Sequence, residues 1–132
     1  MFTEQEMAYL KSQPLARIAT VAPDAQPDVA AVSFDFDGEH FHVGGFDITR
    51  TLKYKNVRLG NAKVALVIDD LESVSPWKAR GIKIHGMAEI VQGQGQKAHL
   101  RITPFRHWTW GIGEPAFKDG RPAIIKTEHQ PG

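Results

Sequence analysis

Short runs with alternating apolar residues, each closed by turn residues, recur through the first 45 positions of the chain. Residues 16 to 21 form one such run, and the PDAQP segment after it has the proline and aspartate pattern of a turn. Residues 29 to 36 predict a second strand, because every second side chain from position 30 is apolar. Asp37-Gly38 then predicts a hairpin into a third strand that stops at Gly44-Gly45. This half of the chain therefore predicts an antiparallel sheet.

Two helices are predicted beside these strands. Thr3 followed by Glu6 fits a capping box, so residues 4 to 12 are predicted as a helix. After residue 48 the apolar period changes, and Thr49 is expected to cap a helix from about residue 50 to residue 59. That second helix would lie between the third and fourth strands.

The second half of the chain is also rich in strand patterns. Residues 64 to 68 are an unbroken apolar run, which predicts a strand buried on both faces, and the DDLESVSPW segment after it is predicted as a loop. A long strand around residues 82 to 90 follows, with Gly86 at a bend or bulge, and QGQGQ predicts a hairpin connection. Three further strands are predicted over residues 98 to 103, 106 to 110 and 122 to 126. The expected fold is mainly β: an antiparallel barrel of five to seven short strands with two helical additions.

Length and composition restrict the class of protein. The 132 residues suit one domain, predicted to span residues 1-132, and the chain contains no cysteine. The lack of cysteine excludes disulfides, thiolate nucleophiles and cysteine-ligated metals. No apolar run is long enough to span a membrane, and the first 13 residues lack the pattern of a signal peptide. A cytoplasmic protein without membrane contact is expected.

The GGFDITRTLKYKN segment is the most informative part of the chain. Gly44 and Gly45 allow close approach of a ligand to the backbone, and the predicted helix start then offers free amide groups together with Arg50, Thr51 and Lys53. This combination predicts a phosphate-binding site. A solvated basic helix with an ordinary cap explains the same residues equally well.

Nucleic acid is a weaker interpretation of these charges. Basic residues run from position 50 to position 63 without an intervening acid, but the chain as a whole carries a formal net charge of only +1. Nucleic-acid binding usually needs a broader basic field with exposed aromatic residues. The sequence predicts no nucleic-acid partner.

Other candidate groups give weaker signals. His40 and His42 lie on one strand face and could begin a metal site, but an exposed hairpin face is the better interpretation, so no metal is predicted. Asp35 and Asp37 are spaced like a general acid and base, yet Asp37 belongs to the Asp-Gly turn. Trp77 stands before two cations at a strand entrance and could border an aromatic, anionic ligand or plug the barrel end.

The order of these segments resembles a known family. The LARIATVAPDAQPDVAAVSF, GGFDITRTLKYKNVR, VALVIDD and WKARGIKIHGMAEIV segments are similar to the pyridoxamine-phosphate-oxidase-like split β-barrel superfamily. The resemblance is closer to its flavin/deazaflavin oxidoreductase branch, whose members use coenzyme F420. It covers roughly residues 3 to 91, with a looser match through RITPFRHWTWG.

The resemblance implies a split β-barrel and a homodimer with cofactor in a groove between the subunits. It implies that Arg50, Thr51 and Lys53 hold the cofactor phosphate and that the ring system lies along the second strand. The matching ring positions are Ala31, Val32 and Ser33. The partner chain would contribute from the long strand, which suggests Trp77, Lys78, Arg80 and Gly81. The oxidase pattern proper has an arginine at the strand-two ring site, where this chain has Asp28, Val29 and Ala30, so oxidation of pyridoxamine phosphate is not expected.

The choice of cofactor remains between F420 and FMN. The acidic tail of F420 would pair with additional cations, which favours F420 over FMN. The candidate cations are Lys55, Arg58, Lys63 and Lys78. The expected activity is hydride transfer to a small organic acceptor such as an activated double bond or a quinone, with the cofactor supplying the chemistry. An FMN-dependent reductase or oxidase and a non-catalytic carrier of a flavin or F420 are the alternatives. No catalytic residue is assigned, since solvent or Tyr54 could deliver the proton.

Overall fold

The structure is a computed structural model that describes residues 1–95 and 97–130. No helix in these ranges is long and apolar enough to cross a membrane. Within them the chain forms two α-helices, a single 3-10 turn at Ile48–Arg50 and ten strands. The helices are α1 (Glu4–Ser12) and α2 (Leu52–Arg58). The strands are β1 (Leu15–Val21), β2 (Pro27–Ser33), β3 (Asp35–Phe36), β4 (Phe41–Val43), β5 (Lys63–Ser73), β6 (Lys78–Val91), β7 (His99–Trp110), β8 (Phe117–Lys118), β9 (Arg121–Pro122) and β10 (Ile125–Glu128).

One antiparallel sheet dominates the fold and curves into a half-barrel. Its strand order is β2-β1-β5-β6-β7-β4-β3, and β10 also pairs with β7. The short β8 and β9 strands form a separate hairpin. The mainly β, antiparallel fold with two helices that the sequence predicts is therefore confirmed.

The inner face of this sheet carries the hydrophobic core. Alternate residues of β5 and β6, among them Leu66, Ile68, Ile82 and Ile84, are almost fully buried. Each such side chain contributes on the order of 1.5 to 3 kcal/mol on burial. Helix α1 covers one side of the core through Leu10. These contacts fix the sheet on which the candidate site is built.

Helix α1 begins as the sequence predicts. The Thr3 amide donates to Glu6 Oε1 at 2.8 Å, and the Glu6 amide donates to Thr3 Oγ1 at 3.1 Å. This reciprocal pair is the capping box expected from the two residue types.

The predicted second strand, residues 29 to 36, is wrong as a single element. The chain leaves β1 after Ser33, and β3 pairs with β4 instead. Burial still alternates through the break, so the apolar pattern continues although the strand partner changes. As a result α2 lies between β4 and β5 rather than between the third and fourth strands.

The predicted start of the second helix is also wrong. Asp47 caps the 3-10 turn, where its carboxylate accepts a hydrogen bond from the Thr49 amide at 3.2 Å. Thr51 caps α2, and its hydroxyl accepts from the Tyr54 amide at 3.4 Å. Thr49 lies inside the 3-10 turn, two residues before the N-cap of α2, and its hydroxyl donates to Asp47.

The predicted loop after residue 68 is largely strand. β5 runs on to Ser73 and pairs with β6, leaving only residues 74 to 77 as a turn. Cross-strand pairing of Asp70 with Arg80 supports this polar extension, although neither residue favours a strand by itself.

β7 joins two strands that the sequence predicts separately. Pro104 lies inside β7 and pairs with Gly86, where the register between β6 and β7 shifts. A bulge tolerates a proline inside a sheet, because the ladder is already interrupted there. The prediction of a bend or bulge at Gly86 is confirmed. The predicted QGQGQ connection includes Gln96, which lies outside the described residues.

Candidate functional site

A groove at the end of β4 collects the residues that the sequence predicts for a cofactor phosphate and ring. We call it the basic groove, and its volume is ≈ 380 Å³. Its lining residues are Ala31, Val32, Ser33, Gly44, Gly45, Phe46, Asp47, Ile48, Arg50, Thr51 and Lys53. Residues from β2, the segment after β4 and the start of α2 thus meet at one surface, although up to 22 positions separate them in the chain.

The glycines open the floor of this groove. Gly45 has a φ of 126°, a conformation that L side chains rarely adopt, and a Cβ added there would meet open space. A side chain at this position would therefore be strained and would also project into the groove. The structure thus explains the glycine by its backbone conformation.

Lys53 is the most unusual group in the basic groove. Its side chain is only 9% exposed, and it forms no ion pair among residues 1–95 and 97–130. Burial lowers the pKa of its amino group, while the charge of Asp28 raises it. Burial partly desolvates this amino group, and an anion in the groove would stabilise its charge.

Arg50 and Thr51 complete the polar side of the groove. Arg50 is exposed at the end of the 3-10 turn. The Thr51 hydroxyl donates to the Ile48 carbonyl oxygen at 2.6 Å and accepts from the Tyr54 amide. Its single proton is thus already used, so Thr51 would have to give up the Ile48 bond to donate to a phosphate.

Phe46 and Asp47 belong to the groove but escape prediction from the sequence. Phe46 is 92% exposed, and the Lys97 amino group lies 5.0 Å from its ring centroid. An aromatic residue directly after two glycines is the only signal that could have identified it. Asp47 is an acid in an otherwise basic lining, and its hydrogen bonds from Thr49 lower the pKa of its carboxyl.

The residues predicted to contact the cofactor from the partner subunit lie outside the basic groove. Trp77, Lys78 and Arg80 line a second groove of ≈ 470 Å³, which we call the aromatic groove. Its other wall includes Pro115 and Phe117. Trp77 is 59% exposed, so the alternative that it plugs the barrel end is wrong.

Arg80 is engaged in its own chain. Its Nε lies 2.7 Å from Asp70 Oδ1 and its Nη2 lies 3.0 Å from Asp70 Oδ2, which is a bidentate pair. The Tyr9 hydroxyl donates to the same carboxylate at 2.8 Å. Arg80 therefore holds α1 against the β5–β6 hairpin, and Trp77 and Lys78 remain the groups better placed for a ligand.

Gly81 has a packing role in this structure. A Cβ added there would lie 2.5 Å from Cζ2 of Trp110 and 2.8 Å from Cβ of Asp69. The absent side chain lets the indole of Trp110 lie against β6. Gly81 does not line the aromatic groove.

The four additional cations that the sequence suggests for the acidic tail of F420 do not lie in one groove. Lys55 and Arg58 are exposed on α2 and line neither groove. Lys63 begins β5, and Lys78 lies in the aromatic groove. Of the four cations, only Lys78 lines one of the two grooves.

Known proteins with a similar sequence include one family and one reductase that each match most of the chain. The family described as pyridoxamine 5'-phosphate oxidase matches residues 2–123. A 5a,11a-dehydrotetracycline/5a,11a-dehydrooxytetracycline reductase of Streptomyces rimosus is 37% identical over 120 residues, which is 84% of this chain and 84% of that protein.

Solved structures with low sequence identity share the fold. An F420 reductase superposes with a TM-score of 0.58 at 23% identity, over 72% of this chain and 90% of that one. A putative pyridoxamine 5'-phosphate oxidase from Listeria innocua gives a TM-score of 0.62 at 18% identity, over 76% and 91%. The heme storage protein HutZ from Vibrio cholerae gives 0.62 at 15% identity, over 92% and 100%. The half-barrel is thus the split barrel of these structures, a fold that also serves proteins with other ligands.

Proposed function

The chain belongs to the pyridoxamine 5'-phosphate oxidase family, and from that premise we propose that it is an F420-dependent reductase of a small organic acceptor. The curated relative at 37% identity is a reductase of dehydrotetracyclines, and a structural neighbour is named an F420 reductase. Both support reduction rather than oxidation of pyridoxamine phosphate. An acceptor with an activated double bond is the substrate class that this relative favours.

The observation that carries the proposal is Lys53 in the basic groove, which is buried and forms no ion pair within the part of the chain that the structure describes. The groove offers a lysine and an arginine for phosphate, glycine backbone for close approach and the half-exposed edge of β2 for a flat ring. Phosphate in this position would pair with Lys53 and Arg50 through charge-assisted hydrogen bonds. When bound there, a reduced deazaflavin supplies a hydride, while the protein binds and orients the reactants.

We propose that the active form is a homodimer in which the partner's aromatic groove meets the basic groove. The two grooves share no lining residue in one chain, and in the proposed dimer Trp77 and Lys78 of a second copy would contact a ligand in the basic groove. The outer sheet face supports this arrangement, because Ala19 pairs with Val29 and with Ala65 there, and Val67 follows on the same face. A partner covering these apolar side chains would bury β5 on both faces, as the sequence predicts for residues 64 to 68.

Cofactor titration separates the proposal from its alternatives. We expect the purified protein to be colourless and to quench the fluorescence of added F420, and we expect it to oxidise reduced F420 in the presence of an enone or quinone acceptor. A yellow protein with tightly bound FMN would instead establish the FMN-dependent alternative. Binding of F420 without any turnover across the acceptor panel would establish a carrier.

Replacing Trp77 by alanine tests the shared groove. Loss of an aromatic contact with the ligand is expected to weaken F420 binding about two- to tenfold, and Trp77→Phe should retain most of the affinity. Sedimentation of the wild-type protein tests whether it is a dimer. Fluorescence titration of both variants measures their affinity for F420. A monomer that binds F420 with full affinity would refute the shared groove while leaving the basic groove intact.

A further inference from the structure

Two histidines from different strands lie side by side on the outer face of the sheet. His42 Nδ1 on β4 is 3.1 Å from His99 Nε2 on β7. The other nitrogen of His42, Nε2, is 2.7 Å from Asp37 Oδ2. Both imidazoles are partly exposed, and neither belongs to the basic or the aromatic groove.

Asp37 fixes the state of the His42 ring. Its carboxylate accepts hydrogen bonds from the amides of Glu39 and His40, and a carboxylate can only accept from His42. In the neutral ring of His42 the Nε2 atom therefore carries the proton, which leaves a lone pair on Nδ1. In the metal-free protein the Nε2–H of His99 donates a hydrogen bond to this lone pair, so a metal bound by both rings would replace that proton and leave His99 protonated at Nδ1.

We propose that His42 Nδ1 and His99 Nε2 form a two-imidazole site for a divalent first-row transition metal, with Cu²⁺ bound more tightly than Ni²⁺ or Zn²⁺. With metal–nitrogen bonds of about 2.0 to 2.1 Å, adjacent ligand nitrogens lie about 2.9 Å apart at a right angle and about 3.3 Å apart at a tetrahedral angle. The observed 3.1 Å lies between these two geometries. The order of affinities follows the general preference of nitrogen ligands for copper.

The surroundings of the pair suit a bound cation. Metal-binding histidines generally donate their second N–H to a carboxylate, which is the arrangement of His42 with Asp37. Arg101, the cross-strand partner of His42, is itself paired with Glu89 at 2.8 Å. Within residues 1–95 and 97–130 no group of three or more metal-binding side chains converges, so water would supply the remaining ligands.

The site would fasten β4 to β7 immediately before the basic groove. Gly44 is the next outward-facing position after His42, and a Cβ added to it would lie 3.7 Å from the Cβ of His99. A metal bridging the two rings would therefore hold the last residues of β4 in place. We expect Ni²⁺ or Cu²⁺ to raise the melting temperature of the protein, since a ligand that binds only the folded state stabilises it.

Calorimetric titration of the untagged protein with CuCl₂, in a buffer that does not chelate metals, tests the site. One Cu²⁺ per chain should bind, and His42→Ala and His99→Ala should each weaken that binding at least about tenfold. Asp37→Asn keeps a side-chain oxygen that accepts from the Glu39 and His40 amides, but it removes the negative charge next to His42. It should weaken Cu²⁺ binding less than either histidine substitution. Electron paramagnetic resonance of the copper complex should show coupling to two nitrogens in the wild type and to one in His42→Gln.

Two histidine variants serve as controls. His40→Ala removes the histidine that neighbours His42 on the same hairpin. His85→Ala removes an imidazole on β6 that contacts Trp108 on β7. Both should bind Cu²⁺ within about twofold of the wild type. Equal binding by the wild type and His99→Ala would overturn the proposal, and a loss confined to His40→Ala and His42→Ala would assign the metal to the hairpin pair instead. Circular dichroism of each variant confirms that the fold is retained.

Discussion

Replacing Arg50 and Lys53 together by alanine is expected to weaken F420 binding by roughly 2 to 5 kcal/mol, or about 30- to 5,000-fold in Kd. The two cations are the charged donors that line the basic groove, and each would form a charge-assisted bond to phosphate. Lys53 should account for more of the loss than Arg50, because it is buried and the solvent screens its charge less. Fluorescence titration with F420 measures the change.

The control variants separate binding from folding. Lys53→Met keeps the packed aliphatic stem and removes the charge, so its loss of affinity reports electrostatics rather than a cavity. Lys11→Ala removes an exposed cation from α1 that does not line the groove, and it should leave Kd unchanged. If the double variant binds F420 as tightly as the wild type, the phosphate site does not lie on this segment.

Replacing Glu6 by alanine is expected to lower the free energy of unfolding by about 3 to 5 kcal/mol. The Glu6 carboxylate is buried, accepts from the Thr109 hydroxyl and lies 2.9 Å from His107 Nε2. Its loss leaves both β7 side chains without this partner in the core, and it also removes half of the α1 capping box. Urea denaturation measures the change, and Glu4→Ala on the exposed side of the same turn should cost less than about 1 kcal/mol. Similar values for the two variants would show that the buried cluster contributes little.

The same carboxylate should make stability depend on pH in the acid range. Burial alone would raise the pKa of Glu6, but hydrogen bonds from His107, Thr109 and the Thr3 amide lower it from 4.5 to about 2. Because the pKa is lower in the folded state, the stabilisation is complete above pH 4.5 and is lost as the pH falls towards 2, by about 3 kcal/mol in all. Glu6→Gln cannot titrate, so its unfolding free energy should fall less steeply over this range. Parallel slopes for Glu6→Gln and the wild type would assign the acid sensitivity to other groups.

Local patterns in the sequence predict the parts of the fold that depend on neighbouring residues. The Thr3–Glu6 capping box, the Asp37-Gly38 turn and the bulge at Gly86 all appear where the residue types indicate. The segment from Gly44 to Lys53 is identified from the sequence for a related reason, since its glycines, cations and hydroxyl group are close in the chain, although a solvated basic helix explains the same residues equally well. The resemblance to a known family supplied Ala31 to Ser33, which the structure brings to the same groove.

Elements that depend on distant partners are predicted less well. The change of partner between β2 and β3 leaves the apolar alternation intact, so the pattern carries no sign of it. The extension of β5 to Ser73 depends on β6, and the continuity of β7 through Pro104 depends on the bulge opposite. In each case a pairing strand satisfies backbone groups that the local sequence leaves open.

The sequence by itself predicts a phosphate site at Gly44 to Lys53, because charge, hydroxyl groups and glycine are properties of residue types. Only the tertiary structure shows that Lys53 is buried without an ion pair among the described residues, that Arg80 pairs with Asp70 and that Trp77 lies in a separate groove. Likewise, the sequence pairs His40 with His42 on one strand, whereas the fold places His99 against His42 from 57 positions away. Burial and long-range pairing are created by the packing of the whole chain, and no local pattern contains them.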